Sequence, residues 1–337
     1  MTLQMSGQIA ADDITGIKKL DPARPVYLLV GDSGKVVVKN EITNLAHDPR
    51  NMRYAMRNMK AVDPTMATKQ LMSSELDAIA QWAELKRVEA ELFQKPLDGD
   101  INALSQSLVI PNTAWVKTNF FEGLINLESA AAQLKATGDK SGIRAIAAAL
   151  TAPGGLEKLG QIMAVDCFNG NDDRFDFSQM PNCAPYNRLT NAGNVAVCLQ
   201  DNVLRPVGMD AWSGSSASRY LDQPPSREWT GVRLKDDQRA WRAQVAAEAA
   251  ADIEAVLGPR NRRNPFGSPD RLPKNAGQRI AAGMDQGITT LKTKLLNMYA
   301  PNQRPPGLQA RMIALGWAIQ TRAGVQPAPP MGLPPRR

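Results

Sequence analysis

One histidine, three cysteines and few aromatic residues leave this chain of 337 residues short of the groups that most catalytic chemistries use. A Ser-His-Asp triad or a zinc hydrolase would have to lean on His47 alone, and that residue reads as a structural or solvent-facing side chain. Cys167, Cys183 and Cys198 are odd in number and show no CxxC spacing. A disulfide framework and a zinc site are therefore not expected, and the thiols read as reduced groups of a cytosolic compartment. Aromatics make up 5% of the chain, few stacking platforms for nucleic acid. No run approaches the roughly 18 apolar residues of a membrane span. Met1 to Gly16 has neither a basic start nor an apolar stretch, so a cleaved secretory signal is not expected. Carboxylates, lysines and amides remain as the available catalytic groups.

What is present is ordinary for a globular protein, with 43% apolar and 22% charged residues in a chain long enough for a sizeable core. The net charge of +7 is unevenly spread. From Arg227 onward there are 18 Lys/Arg against 8 Asp/Glu, while the preceding residues carry 22 against 25. A basic last third suits an acidic protein face or an anionic membrane surface, or it is simply a solvated surface. Arg260, Arg262 and Arg263 lie in a Pro-bounded loop of that region, open to either reading.

Val26–Val30 and Lys35–Lys39, joined by Gly31-Asp32-Ser33-Gly34, predict a hairpin. Apolar residues at three- to five-residue steps predict a helix over Thr65–Phe93, and short strands are expected at Leu108–Ile110 and Ala114–Val116. Helices follow at Gly123–Leu134, Ile143–Leu150 and Leu156–Cys167. A second hairpin, Val195–Leu199 with Val203–Val207, turns at Gln200-Asp201-Asn202. Helices over Asp236–Leu257, Ala276–Met298 and Gly307–Ala323 close the chain. In the first of these three, Trp241, Val245, Ala249 and Ile253 share one face. This order predicts an α+β fold of two lobes. The expected division is a flexible N-terminus (1–20), a strand-rich lobe (21–114), a mostly helical lobe with accessory C-terminal helices (115–323) and a Pro-rich tail (324–337).

Chemistry concentrates in Gly170-Asn171-Asp172-Asp173-Arg174-Phe175, in Asn194 ahead of the second hairpin, and in Asp210 just after it. Phosphoryl transfer asks for a carboxylate to orient the attacking group, and for an amide and a carboxylate to hold Mg²⁺ between phosphates. An Asp in a loop after a helix, an Asn before a strand and an Asp after the next strand supply that set. The same residues also suit plainer roles. Asn-Asp-Asp-Arg can cap a helix end, Asn194 and Asp210 can flank an ordinary hairpin, and Asp172 reads as a surface charge.

These segments resemble the catalytic core of the kinase-like fold, closest to phosphatidylinositol 3-/4-kinase-like and HipA-like kinases. The resemblance covers roughly Val26 to Asp210. It implies a bilobal fold with a small strand-rich N-lobe and a mostly helical C-lobe, the catalytic Asp at Asp173, and metal positions at Asn194 and Asp210. It further implies that Lys39, in Val36-Val37-Val38-Lys39, touches the ATP phosphates, with Ser33 and Gly34 in the turn ahead of it. A Glu from the long helix, Glu75 first and Glu84 second, would pair with Lys39. Trp115–Gly123 resembles the hinge that holds adenine. The chain departs from the family in placing Phe175 where a His is usual, in the long insert Asp176–Gly193, and in the Ala-Trp that follows Asp210.

The expected activity is ATP- and Mg²⁺-dependent phosphotransfer to a protein or a phosphoinositide. The alternatives are a non-catalytic kinase-like binding module and AMP transfer on the same fold. The Ala- and Arg-rich composition and Pro-rich tail are in the style of a bacterial effector delivered into another cell without a cleaved signal, a role in virulence.

Overall fold

β-Branched residues in alternation build the first sheet of the computed structural model, which describes residues 8–32, 34–42, 49–66, 68–111, 113–178, 188–210, 224–225, 227, 229–258, 271–299 and 304–318, with main chain only at 41, 42, 49–53 and 68. Strands β1 (Gly16–Lys19), β2 (Val26–Gly31), β3 (Gly34–Ile42), β4 (Thr68–Gln70) and β5 (Thr113–Asn119) form an antiparallel sheet in the order β1-β2-β3-β5-β4. Helix α1 (Pro49–Val62) links β3 to β4. Helices α2 (Ser73–Leu92) and α3 (Gly99–Leu108) link β4 to β5.

Side chains alternate across the sheet, so its two faces have different fates. Tyr27, Leu29, Val36, Val38 and Trp115 point one way and form a core with Ile79 and Trp82 of α2 and Leu104 of α3. Tyr27 and Trp115 stack there with centroids 6.3 Å apart. Val37, Lys39, Val116 and Thr118 point the other way. They are cross-strand partners in the register Val37↔Thr118 and Lys39↔Val116.

The rest of the chain is mainly helical. A three-stranded antiparallel sheet joins β6 (Ile125–Asn126), β7 (Ala196–Gln200) and β8 (Val203–Val207) in sequence order. Asp201 and Asn202, both at left-handed φ, make the two-residue turn between β7 and β8. Helices α4 (Leu127–Thr137), α5 (Ser141–Thr151) and α6 (Gly155–Asn169) pack on this sheet, and α7 (Arg239–Leu257), α8 (Ala276–Met298) and α9 (Pro306–Ala314) follow, with α8 packed on α6 and α7. Helix α6 is buried along most of its length. It is apolar nearly all round, as a central helix must be. Helix α8 crosses it through glycines, where a Cβ on Gly160 would lie 2.0 Å from the Ile280 carbonyl and one on Gly283 2.1 Å from that of Glu157. That close crossing fixes the helix whose C-terminal end feeds the loop at Gly170, itself at φ 71°.

The α+β class is as expected, and several finer expectations need correction. Residues 8–20 are not a loose tail. A 3₁₀ turn at Ala11–Asp13 packs on α2, and β1 is the sheet's edge strand. The division at residue 114 cuts through β5, a strand with two sheet partners. Thr65–Phe93 is not one helix, because Thr68–Gln70 pairs with β5 before α2 begins at Ser73. Leu108 ends a helix and starts no strand. Ser33, His47, Cys183, Arg260, Arg262, Arg263 and the tail at 324–337 lie outside the described residues. No described helix is long and apolar enough to cross a membrane.

Candidate active site

A cavity of about 540 Å³ opens on the free face of the first sheet. Its walls are apolar: Val37 and Val116 from the sheet, Met56 and Met59 from α1, and Phe120 and Phe121 from the segment leaving β5. Lys39, Asp210, Asp21 and Arg24 bring charge to it. A site of this size and make-up, apolar with a few convergent polar groups, suits a small organic ligand. Most of the segment resembling a hinge (Val116, Thr118, Asn119, Phe120, Phe121 and Gly123) lines it. Trp115 does not, since its ring belongs to the opposite face of the sheet.

Lys39 and Asp210, 171 residues apart in the chain, meet in this cavity with Nζ 2.7 Å from Oδ1. Their side chains are 18% and 31% exposed, shielded enough for the attraction to count and open enough for exchange with a ligand. The Lys39 ammonium holds the Asp210 carboxyl below its ordinary value of 3.8, against burial, which pushes it up. Asp210 also stands at φ 48°, an uncommon conformation for a residue with a Cβ. Three contacts over-determine it. The N–H of Gly208 donates to Asp63 Oδ2 at 2.9 Å, the Asn171 amide donates to the Asp210 carbonyl at 3.0 Å, and Arg174 donates to the Met209 carbonyl.

Asp173 and Asn194 form the second pair. Asn194 Nδ2 donates to Asp173 Oδ2 at 2.8 Å, across 21 residues of sequence that include the insert. Neither lines the cavity, but both are tied to the Asp210 segment through one guanidinium. Buried Arg174 donates to Asp166, to the Asn194 carbonyl at 2.8 Å and to the Met209 carbonyl. Asn171 completes the knot, donating to Asp166 Oδ1 at 3.0 Å. Burial raises the Asp166 carboxyl and Arg174 and Asn171 oppose it, and the balance stands at about 6. Burial also raises Asp172, with the charges of Asp176 and Asp173 adding to the effect. The insert leaves after Phe175, which is fully buried, and returns to it at Leu189, its bridge partner. Asp252 of α7 takes the N–H groups of Arg188 and Leu189, and Glu248 takes the Arg188 side chain at 2.7 Å.

The expectation for Glu75 is overturned. Lys117 pairs with Val38 in the register and so shares its face, opposite to Lys39. Glu75, 1% exposed, pairs with Lys117 on that far face and also accepts the N–H of Ile9 at 3.1 Å. Glu84 is on the surface with Arg87. The helix on the cavity side, α1, contains no acidic residue at all.

Gly34 is corrected too. The register Gly31↔Gly34 puts the β2–β3 turn at one end of the hairpin and Val26↔Lys39 near the other. Five residues of strand, roughly 16 Å, separate them. The loop beside Lys39 is the one between β1 and β2, which lines the cavity with Leu20, Asp21 and Arg24.

Asp63 and Asp166 are organising residues outside the sequence motif, and Arg174, a member of it, carries an organising role that the motif alone does not assign. Asp166 had a signal, as a lone carboxylate inside the apolar run Ile162–Phe168, where burial demands a partner. Among the described residues no three His, Cys, Asp or Glu side chains cluster to hold a metal. A set containing the Asn194 amide falls outside that description. No family model, curated relative or solved structure matches this chain.

Proposed function

We propose that the chain is an ATP- and Mg²⁺-dependent phosphotransferase of kinase-like fold, acting on a protein or a phosphoinositide. The observation that carries this reading is the Lys39–Asp210 pair in an apolar cavity, with Asp173 and Asn194 tied to the same short segment. The antiparallel order β1-β2-β3-β5-β4, with a helix between β3 and β4, supports it.

The donors fit the cation. Mg²⁺ prefers oxygen ligands, and carboxylate and amide oxygens are of that kind. Asn194 spends its Nδ2 on Asp173, which leaves its oxygen for a ligand, and Asp210 gives one oxygen to Lys39 and keeps the other. When bound, Mg²⁺ would neutralise charge on the phosphates at Asn194 and Asp210. Lys39 exchanges part of its bond to Asp210 for a phosphate oxygen. Asp173, aligned by Asn194, accepts a hydrogen bond from the acceptor hydroxyl and orients it. Val37, Val116 and the methionines enclose the base and exclude water.

Incubation with radiolabelled ATP tests the proposal. Wild type labels an acceptor, and Asp173→Ala and Lys39→Met do not. Equal labelling by wild type and Asp173→Ala would sink the assignment, and mass spectrometry of the product tells phosphoryl from AMP transfer.

A further inference from the structure

The loop between β1 and β2 reads Leu20-Asp21-Pro22-Ala23-Arg24-Pro25 and contains no glycine. Its main chain has little to give an anion. Pro22 and Pro25 have no N–H. Those of Ala23 and Arg24 are spent on Asp21 Oδ1, at 2.8 and 3.1 Å, and that of Val26 on the Arg24 carbonyl at 2.9 Å. The pairing of β1 with β2 and the bond from Asn40 N–H to the Pro25 carbonyl, 2.9 Å, anchor both ends. The loop's strong donor is therefore the Arg24 guanidinium.

Arg24 lines the cavity together with Lys39 and Asp210. Its Nε donates to Asp21 Oδ2 at 2.7 Å, and its side chain is 66% exposed. The Arg24 charge also reaches Asp210, adding to the larger effect of Lys39 on that carboxyl. Two cations, each parked on its own carboxylate, thus face the same charged end of the cavity. A guanidinium matches phosphate oxygens with parallel N–H donors, a geometry an ammonium cannot offer.

Building on the nucleotide reading above, we propose that Arg24 is a phosphate-binding residue which leaves Asp21 for the polyphosphate of the bound nucleotide, doing with a side chain what the amides of this loop cannot do. Asp21 is then the placeholder that keeps the guanidinium at the mouth of the cavity. The ligand distinguished by this device is a nucleoside polyphosphate as against the bare nucleoside.

Isothermal titration of the full chain with ATP and with adenosine, Mg²⁺ present, tests this. Arg24→Ala weakens ATP by about tenfold to a hundredfold, leaves adenosine unchanged and, because the side chain is on the surface, keeps the wild-type melting curve. Arg24→Lys recovers part of the loss. Asp21→Asn, which removes the competing carboxylate, binds ATP at least as well as wild type. If Arg24→Ala binds ATP and adenosine as wild type does, the role of Arg24 is refuted and the phosphotransferase reading stands. If the wild type binds neither, that reading falls, and this inference with it.

Discussion

The guanidinium of Arg174 lies against the carboxylate of Asp166 with both side chains sealed from water, and through it the loop after α6, the start of β7 and the end of β8 converge on one group. A buried pair of this kind adds little when complete, but removing one partner leaves an uncompensated charge. Arg174→Met should therefore cost about 3–5 kcal/mol, read from urea unfolding. It should also abolish ATP-dependent labelling in whatever fraction stays folded. A loss below about 1 kcal/mol would show that the knot does not hold the site.

Asp166 and Asp210 make opposite contributions to the pH dependence of stability. Asp166, raised from 3.8 to about 6, binds its proton more tightly in the folded chain. Its contribution is full below pH 3.8 and is lost as the pH rises to about 6. Asp210 is lowered by Lys39, so its contribution is present above 3.8 and is lost as the pH falls through its folded value. Asp166→Asn should flatten the decline between about pH 4 and 6, and Asp210→Asn should remove part of the acid loss below pH 4. Urea midpoints across the range measure both.

Glu75→Gln separates a structural carboxylate from a catalytic one. It leaves the Lys117 ammonium, 3% exposed, without its carboxylate and should cost about 3 kcal/mol. Affinity for ATP should stay as in wild type, because the pair sits on the far face of the sheet. A selective loss of ATP binding in a variant with unchanged Tm would overturn this placement.

The glycine crossing gives a fourth expectation. Gly160→Ala and Gly283→Ala each set a methyl group about 2 Å from a carbonyl of the other helix, so the helices must part. Each should cost about 1–3 kcal/mol. Gly99→Ala, where a Cβ meets nothing within 4 Å, is the control. Thermal melts followed by circular dichroism would rank the three.

Much of this architecture was legible in the residues. The second hairpin declares itself by β-branched runs around Asp201-Asn202, and α8 was expected between the same two residues that bound it, because its apolar positions keep a helical period. The motif from Gly170 to Arg174, together with Asn194 and Asp210, reads as one site in the sequence. The structure ties them together through Arg174 and Asn171, as far as hydrogen bonds can. What stayed hidden was non-local. Helix α1 is amphipathic but polar on average, and its buried face is made by Ala55, Asn58, Met59 and Val62, so no run of large aliphatic residues marks it in the sequence. The three residues of β4 are polar and become a strand only because β5 lies beside them. Which lysine Glu75 meets is decided by the parity of the β3–β5 register, a tertiary fact that a sequence pattern does not carry.

Because α6 is threaded so tightly against α8, the residues past Ala276 are part of the scaffold that presents the cleft, although none of them lines it. A chain cut between α7 and α8 would strip one side of the helix that carries Asp166 and lets out into the Gly170 loop. The smallest piece able to hold the Lys39–Asp210 geometry therefore extends at least through Met298, about ninety residues beyond the last member of the site itself.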